Sequence, residues 1–431
     1  MGNMIGSGVF LLPSSLALFG GLGLMGWVVS AAGSIMLALV FARLSRVDPS
    51  AGGPYAFTRH AFGDLAGFLV AWGYWISIWC GNAAIAAACV GYLEPFFPRI
   101  VHRPTSAAMV AAGFVWVLTA VNVWGIRAAG RVQVVTTVLK VLPLVLIAAA
   151  GLTRFDPAPF AIVDTGIRTM AAKLAGAATL TFWAFGGLES ATIPAGAIDR
   201  PEHTIPRATI VGTLLAAALY IVSTIGVMSL VAPEALRVSP APFADAARAF
   251  AGSRAADLVA VGASIACFGA LNGWILIAGQ IPLAIATDGL FPRSFARVSS
   301  RETPAFGLIV SSVLTTALLA INSSRGLVDL FTFIILLGTL SALVPYAFSS
   351  LAVFLIAGPG RRGVAQTTMG ASVIALLAFG YSLWAIGGAG TEVVYWGFLL
   401  LLAGLPVYVW VVRSTKTQVP GSRVPGSGFK R

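Results

Sequence analysis

The sequence predicts an all-α membrane protein with twelve transmembrane helices, in which a 5+5 inverted repeat with broken helices 1 and 6 is followed by two C-terminal helices. Three observations lead to this fold class. Hydrophobic residues make up 58% of the 431 residues and charged residues only 10%, whereas soluble domains contain about 25% charged residues. Apolar segments recur along the whole chain, and glycines interrupt two of them. We therefore expect the chain to fold within a lipid bilayer.

Each of the apolar segments is long enough, or nearly long enough, to cross a bilayer, which takes about 20 residues. We predict one transmembrane domain over residues 1–412, with inverted repeats at about 1–153 and 174–357 and helices 11 and 12 at about 366–412. The basic end of the chain, 413–431, is expected to be a disordered cytoplasmic tail. The predicted segments are 1–22, 24–43, 65–93, 105–124, 132–153, 174–197, 208–231, 255–286, 307–323, 328–357, 366–388 and 393–412.

The Lys and Arg residues indicate the orientation, because loops on the cytoplasmic side carry an excess of them. With the N-terminus inside, most of the 27 Lys and Arg residues fall in cytoplasmic loops or in the tail. We therefore expect a multi-pass protein of the cell inner (plasma) membrane with both termini cytoplasmic. Lys140 is the one basic residue within a predicted span, and we expect a structural role for it.

Two predicted helices contain glycines that favour a break. Gly6-Ser7-Gly8 lies in the first segment and Gly186-Gly187 in the sixth. They are five helices apart, so two five-helix repeats would have opposite topology, and interrupted helices at matching positions indicate a binding site near the middle of the membrane. The alternative is that small residues merely let helices pack closely. Two matched breaks, one of them beside an acid, favour a transport site.

That acid, Glu189, is the only one in its apolar segment, LTFWAFGGLESATIPAGA. A carboxylate at this depth costs at least about 2.5–3.5 kcal/mol on insertion scales, and such residues usually mark ion pathways or substrate sites. Glu189 is therefore predicted to act in gating and proton sensing. The alternative is an acid that neighbouring tyrosines hold by hydrogen bonds for packing alone.

Composition and motifs argue against several other functions. The net charge of +12 comes without the basic block interleaved with aromatics that nucleic-acid binding requires. The three cysteines lie in apolar segments and the three histidines are isolated, so we expect no metal and no cofactor. We find no catalytic set and no phosphate-binding loop, and therefore expect no enzyme. An ion channel would need polar rings around a pore.

A series of motifs from one end of the chain to the other resembles the amino acid–polyamine–organocation superfamily, and within it the bacterial arginine/agmatine antiporters and their basic amino acid/polyamine relatives. The resemblance implies a twelve-helix transporter with helices 1 and 6 unwound, usually a homodimer. The motifs are GNMIGSGVFLLP (2–13), DPSAGGPYAF (48–57), YWISIWCGN (74–82), FWAFGGLESA (182–191), RPEHTIPRATI (200–210), SPAPFADAAR (239–248), LNGWILIAGQ (271–280), DGLFPRSFARV (288–298) and LVPY (343–346).

The resemblance also implies which residues bind a substrate. The turn Ile5-Gly6-Ser7-Gly8 would offer backbone N–H groups to a substrate carboxylate, since exposed amides at a helix N-terminus favour anions. Carbonyls around Trp183 and Gly186 would accept hydrogen bonds from the α-ammonium group. Asn3 and Asn82 would supply polar contacts near the side chain, although Asn82 is equally suited to join two helices by hydrogen bonding.

The remaining implied roles are those of aromatic and gating residues. Trp183 would cover the substrate and Trp274 would stack on its cationic end, because indole faces attract cations by about 0.5–2 kcal/mol. Tyr74 and Tyr346 would close the far side of the site with Glu189. Position alone does not separate these tryptophans from core or lipid-facing aromatics, since the chain has eleven.

The implied activity is secondary antiport of a cationic, arginine-like amino acid for its decarboxylated, agmatine-like amine, a route to acid resistance. Four positions depart from the arginine/agmatine pattern: Ile78 replaces cysteine, Ile85 methionine, Gly186 isoleucine and Gly338 serine. These departures leave the identity of the substrate undecided, and putrescine/ornithine exchange or transport of another amino acid is the alternative. The family also has a longer segment before Asn3, so we expect the inner half of helix 1 to be missing from this sequence.

Overall fold

The computed structural model describes residues 4–48, 52–124, 129–162, 166–192, 200–356 and 368–417. Within these ranges the regular structure is entirely helical, as the composition predicts. The α-helices are α1 (Ser7–Leu16), α2 (Gly21–Val47), α3 (Pro54–Phe62), α4 (Asp64–Gly91), α5 (Pro98–Val101), α6 (Pro104–Trp124), α7 (Ala129–Thr153), α8 (Ile167–Phe182), α9 (Pro201–Leu230), α10 (Pro233–Val238), α11 (Pro242–Ala251), α12 (Ser253–Thr287), α13 (Ala305–Ile321), α14 (Leu327–Ala352), α15 (Met369–Gly388), α16 (Thr391–Leu402) and α17 (Gly404–Thr417).

Eight helical stretches in the described ranges are long and apolar enough to cross a membrane, and two shorter apolar helices accompany them. This makes the chain a multi-pass membrane protein, while the count of twelve spans and the inverted repeat stay predictions. Helices α1 and α8 are only 10 and 16 residues long, because each adjoins a glycine-containing break. The eight stretches are Gly21–Val47, Asp64–Gly91, Pro104–Trp124, Glu202–Leu230, Ser253–Thr287, Leu327–Ala352, Met369–Gly388 and Thr391–Ser414.

Several boundaries differ from the predicted ones. The sixth segment begins earlier than residue 174, because α8 starts at Ile167 directly after Gly166, whose φ of +84° ends the preceding loop. The last segment consists of two helices, α16 and α17, which meet at Ala403. Helix α17 runs to Thr417 and so extends into the predicted tail; the rest of that tail lies outside the described residues. The short helices α3, α5, α10 and α11 lie in regions that the hydropathy pattern assigns to loops.

Helix α4 lies at the centre of the bundle. The apolar stretch of α4 is completely buried, and the helix packs along α14 and α12. Helix α2 packs against α8 and α9. Where α7 crosses α9, a Cβ added at Gly151 would lie 2.1 Å from the Cα of Gly226, so these backbones are in direct contact. The central position of α4 brings it against both α1 and α14, where the candidate site lies.

A polar network joins α3, the start of α4 and the end of α12 at one face of the bundle. The Tyr55 hydroxyl donates to Asp288 at 2.7 Å, and the Arg59 guanidinium lies 2.7 Å from the same carboxylate oxygen. Arg59 also pairs with Asp64 at 2.8 Å, and this hydrogen bond raises the pKa of Arg59. Burial, together with the hydrogen bond to Asp288, raises the pKa of Tyr55 above its ordinary value. The Tyr55 phenol therefore stays protonated and remains a donor.

Candidate functional site

Helix α8 breaks at the predicted glycines. It ends at Phe182, and Trp183–Phe185 form a single 3₁₀ turn in which the Gly186 N–H donates to the Trp183 carbonyl at 3.0 Å. Gly186 has extended geometry (φ −54°, ψ 134°), and Gly187 has a φ of +95°. A positive φ of this kind suits glycine and strains other residues. The helical hydrogen-bond ladder is therefore interrupted beside Glu189.

The start of α1 lies against this break. Gly6 has non-helical dihedrals (φ −141°, ψ −148°), and within the described part of the chain no side chain caps the helix that begins at Ser7. A Cβ added at Gly8 would lie 3.0 Å from the Cα of Ala184, so the two backbones touch. The first amides of a helix lack intrahelical acceptors, and here those amides begin next to the irregular segment of α8. Asn3 lies outside the described residues.

Glu189 connects the break to two neighbouring helices. Its side chain is 1% exposed. The Tyr74 hydroxyl of α4 donates to Oε1, and the Tyr346 hydroxyl of α14 donates to Oε2. Each carboxylate oxygen thus has its own donor, although the tyrosines are 115 and 157 positions away in the chain. The three residues form one buried cluster, called here the Tyr–Glu–Tyr cluster.

A solvent-open cavity lies between α1, α4, the broken end of α8, α12 and α14, and its empty space, open solvent included, is about 600 Å³. Glu189 is its only charged lining side chain among the residues that the structure describes. With two indoles and no cation in the part of the wall that the structure describes, the cavity suits a positively charged ligand. The lining residues are Met4, Gly6, Gly8, Tyr74, Ser77, Ile78, Gly81, Ile85, Phe182, Trp183, Ala184, Gly186, Gly187, Glu189, Trp274, Thr339, Ala342 and Tyr346.

Most of the predicted site residues meet at this cavity. Gly6, Gly8, Trp183, Gly186, Trp274, Tyr74, Glu189 and Tyr346 all line it, and both tryptophans are half-buried. The cavity also contains the departures Ile78 and Ile85, which give its wall apolar side chains.

Three other predicted residues contribute no side chain to the cavity wall as described. Ile5 is completely buried beside it, and only the backbone of Ser7 is described, at the first position of α1. Asn82 is buried next to Gly81, and its Oδ1 has no hydrogen-bond partner among the described residues. Their proposed roles in binding stay predictions.

The structure adds lining residues that the sequence reasoning did not identify. Gly81 and Thr339 are the most informative, because Gly81 precedes Asn82 and Thr339 follows Gly338. The Thr339 hydroxyl is buried and has no partner among the described residues. A helical glycine and a helical threonine are common in membrane helices for packing reasons, so the sequence carried no signal that separated these two from the rest.

A broken helix beside a buried acid, in a membrane bundle whose described residues form only helices, is the arrangement found in membrane transporters. The profile of the amino acid permease family matches residues 1–399. The chain therefore belongs to the amino acid permeases of the amino acid–polyamine–organocation superfamily.

Three relatives show the range of substrates near this chain. It is 35% identical over 370 residues to the cadaverine/lysine antiporter of Escherichia coli strain K12, and the aligned region covers 84% of this chain and 82% of the relative. It is 33% identical over 446 residues to a putative arginine/ornithine antiporter of Bacillus subtilis strain 168, covering 95% and 94% of the two. It is 31% identical over 414 residues to a putrescine transporter of Haemophilus influenzae, with the same coverage.

Proposed function

We propose that this protein is a secondary antiporter of the inner membrane that exchanges a cationic amino acid for its decarboxylated amine. The observation that carries the proposal is the cavity at the α8 break, whose described wall holds one acid, two indoles and no basic side chain. Both termini would be cytoplasmic, and the protein would work as a homodimer. Alternating access would come from movement of α1 and α8 against α4 and α14.

The two chemical ends of an amino acid would bind at different elements. The amides at Ile5–Gly8 would hold the carboxylate, because the N-terminus of a helix carries a partial positive charge. Carbonyls at Trp183 and Gly186 would hold the α-ammonium group. Trp274 would stack on the distal cation, and Asn3 and Asn82 would offer polar contacts along the side chain.

The Tyr–Glu–Tyr cluster would gate the far side of the cavity. Glu189 lies on the segment that breaks α8, whereas its tyrosine partners lie on the packed helices α4 and α14. Opening the cavity on that side would separate the carboxyl from at least one hydroxyl. A proton on Glu189 changes the number of hydrogen bonds that the carboxyl accepts, so we propose that Glu189 senses protons as well as closing the gate.

The proposal includes two candidate substrate pairs. Arginine with agmatine is the first. Lysine or ornithine with the corresponding diamine is the second, and the apolar side chains of Ile78 and Ile85 favour it. A guanidinium has five N–H donors to satisfy and an ammonium three, and isoleucine accepts none of them. The names of the relatives are compatible with both candidates.

Exchange assays on purified protein in liposomes test the function. Vesicles loaded with agmatine, cadaverine or putrescine are given labelled arginine, lysine or ornithine. We expect saturable uptake that requires the internal amine, and the preferred pair identifies the substrate. Vesicles without internal amine are the control. No uptake of any of the three amino acids would reject the proposal, and unsaturable flux independent of the internal amine would indicate a channel.

A further inference from the structure

The indole of Trp183 lies in a slot formed by three glycines from three different helices. A Cβ added at Gly8 of α1 would lie 3.1 Å from the Cδ1 of the indole. A Cβ at Gly81 of α4 would lie 2.8 Å from Cη2, and one at Gly338 of α14 would lie 3.0 Å from Cζ3. We call Gly8, Gly81 and Gly338 the glycine slot. It holds both ends of the ring system.

The backbone does not require glycine at these positions. All three residues lie within α-helices, and none has a positive φ. A side chain would be compatible with the local conformation, and alanine is the better helix former in water by about 1 kcal/mol. At Gly81 and Gly338 a side chain would lack space because the indole occupies it, whereas at Gly8 the backbone of Ala184 is as close as the indole.

Close helix packing is the other common reason for a buried glycine, and the neighbouring atoms separate the two cases. At Gly151, where α7 and α9 touch, the three nearest atoms are all backbone atoms of Gly226. At Gly81 the three nearest atoms all belong to the Trp183 indole, and at Gly338 the nearest atom does. At Gly81 and Gly338 the absence of a side chain therefore makes room for the Trp183 indole rather than for the backbone of a neighbouring helix.

The slot limits movement of the indole at both ends of the ring. Helix α1 lies at the Cδ1 edge, while α4 and α14 lie at the opposite end. The cavity, which Trp183 itself lines, offers open space for a shift. A methyl group added at Gly81 or Gly338 would push the indole into the cavity by a few tenths of an ångström or more, since contacts near 3.0 Å are too short for carbon atoms at rest.

We propose that Gly81 and Gly338 are specificity-determining positioning residues: they set the depth of the Trp183 indole, and this depth sets the length of cationic substrate that the cavity accepts. This inference rests on the proposed function, because it concerns the substrate of the same cavity. A displaced indole removes space from the cavity and excludes long substrates before short ones.

The test uses Gly338→Ala and Gly81→Ala in liposomes. Gly113→Ala and Gly380→Ala are matched controls, because these helical glycines are exposed and a Cβ there meets no atom within 4 Å. Unlabelled ornithine, lysine and arginine compete with whichever labelled substrate the wild type exchanges. For the slot variants we expect the inhibition constant to rise about tenfold for arginine and no more than about twofold for ornithine, as overpacking of this size commonly costs a factor of ten. The controls should match the wild type.

A second substitution separates displacement of the indole from general damage. Phenylalanine at Trp183 lacks the second ring, which carries the Cη2 and Cζ3 atoms that face Gly81 and Gly338. In the Trp183→Phe background, Gly338→Ala should therefore change the inhibition constants by less than about twofold for every competitor.

Two results would overturn the inference. One is equal inhibition constants in Gly338→Ala and the wild type at normal abundance in the membrane. The other is a loss that is uniform across the three competitors and persists with Trp183→Phe. Failure of the proposed function is seen separately, as a wild type that exchanges none of the cationic substrates.

Discussion

Replacing Glu189 by glutamine removes the titratable proton and preserves the shape of the side chain. In the wild type each carboxylate oxygen accepts one tyrosine hydroxyl. The glutamine oxygen can accept from one tyrosine, but the amide NH₂ is a donor, so the second hydroxyl must rotate to accept from it. One charge-assisted hydrogen bond is then replaced by a neutral one, and the other by a bond of reversed direction. Because hydrogen bonds to charged groups contribute about 1.5–3 kcal/mol and neutral ones about 0.5–1.5, Glu189→Gln should cost roughly 1–3 kcal/mol.

Alanine at the same position should cost more. Glu189→Ala leaves the hydroxyls of Tyr74 and Tyr346 buried without an acceptor, and each unsatisfied group costs about 1–3 kcal/mol. The expected loss is therefore roughly 2–6 kcal/mol, before any contribution from the space left by the side chain. Tyr74→Phe and Tyr346→Phe are matched controls, since each removes one donor and keeps the ring.

Thermal unfolding in detergent ranks the stabilities of these variants, and exchange in liposomes between about pH 5 and pH 8 measures gating. We expect Glu189→Gln to remain folded and to lose the pH dependence of the wild type, because no proton can bind at this position. A Glu189→Gln profile that coincides with the wild type would remove Glu189 from proton sensing. Equal stability of the glutamine and alanine variants would contradict the hydrogen-bonded cluster itself.

Three further predictions concern the rest of the bundle. Tyr55→Phe should lower stability by about 1 kcal/mol equally from pH 5 to pH 9. The pKa of Tyr55 is raised by burial and Asp288, so its hydrogen bond to Asp288 stays intact below the unfolded pKa near 10 and is lost only at higher pH. A loss of stability that grows towards acid pH in thermal unfolding would contradict this. Lys140→Met should raise the unfolding temperature, because it removes a fully buried amine without a partner among the described residues; an unfolding temperature below that of the wild type would contradict this. Gly151→Ala should destabilise by about 1–3 kcal/mol, since its Cβ would lie 2.1 Å from the Gly226 Cα; stability equal to that of the exposed-glycine controls would refute that contact.

The helical class and the break in α8 were predictable because both leave a local signal. Apolar runs of bilayer length define spans, and Gly186-Gly187 beside an acid marks the point where a helix fails. The division between α16 and α17 was missed although Gly404 and Pro406 closely follow Ala403. Gly and Pro favour the end of a helix, but the apolar run continues through them, and hydropathy alone treats the whole run as one span.

The candidate site was predictable only in part. Glu189 was evident because a carboxylate in an apolar segment carries a large free-energy cost, but the pattern around it does not identify its hydrogen-bond partners. Tyr74 and Tyr346 came from the resemblance to a family, and the structure shows the hydrogen bonds while their gating role stays a prediction. Gly81 was missed because a helical glycine gives the same sequence signal whether it faces a helix or a ring. Only three-dimensional contact distinguishes those two surroundings.

The position of the break favours a mechanical link between the indole and the acid. Trp183 and Glu189 lie on the same irregular segment, on either side of Gly186-Gly187. The rigid helices that hold them are also shared: α4 contributes Tyr74 and Gly81, and α14 contributes Gly338 and Tyr346. On the proposed mechanism, movement of the segment away from α4 and α14 would withdraw the indole from the slot and separate the carboxyl from its tyrosines. Substrate size at one end of the segment and protonation at the other would then act on a single equilibrium.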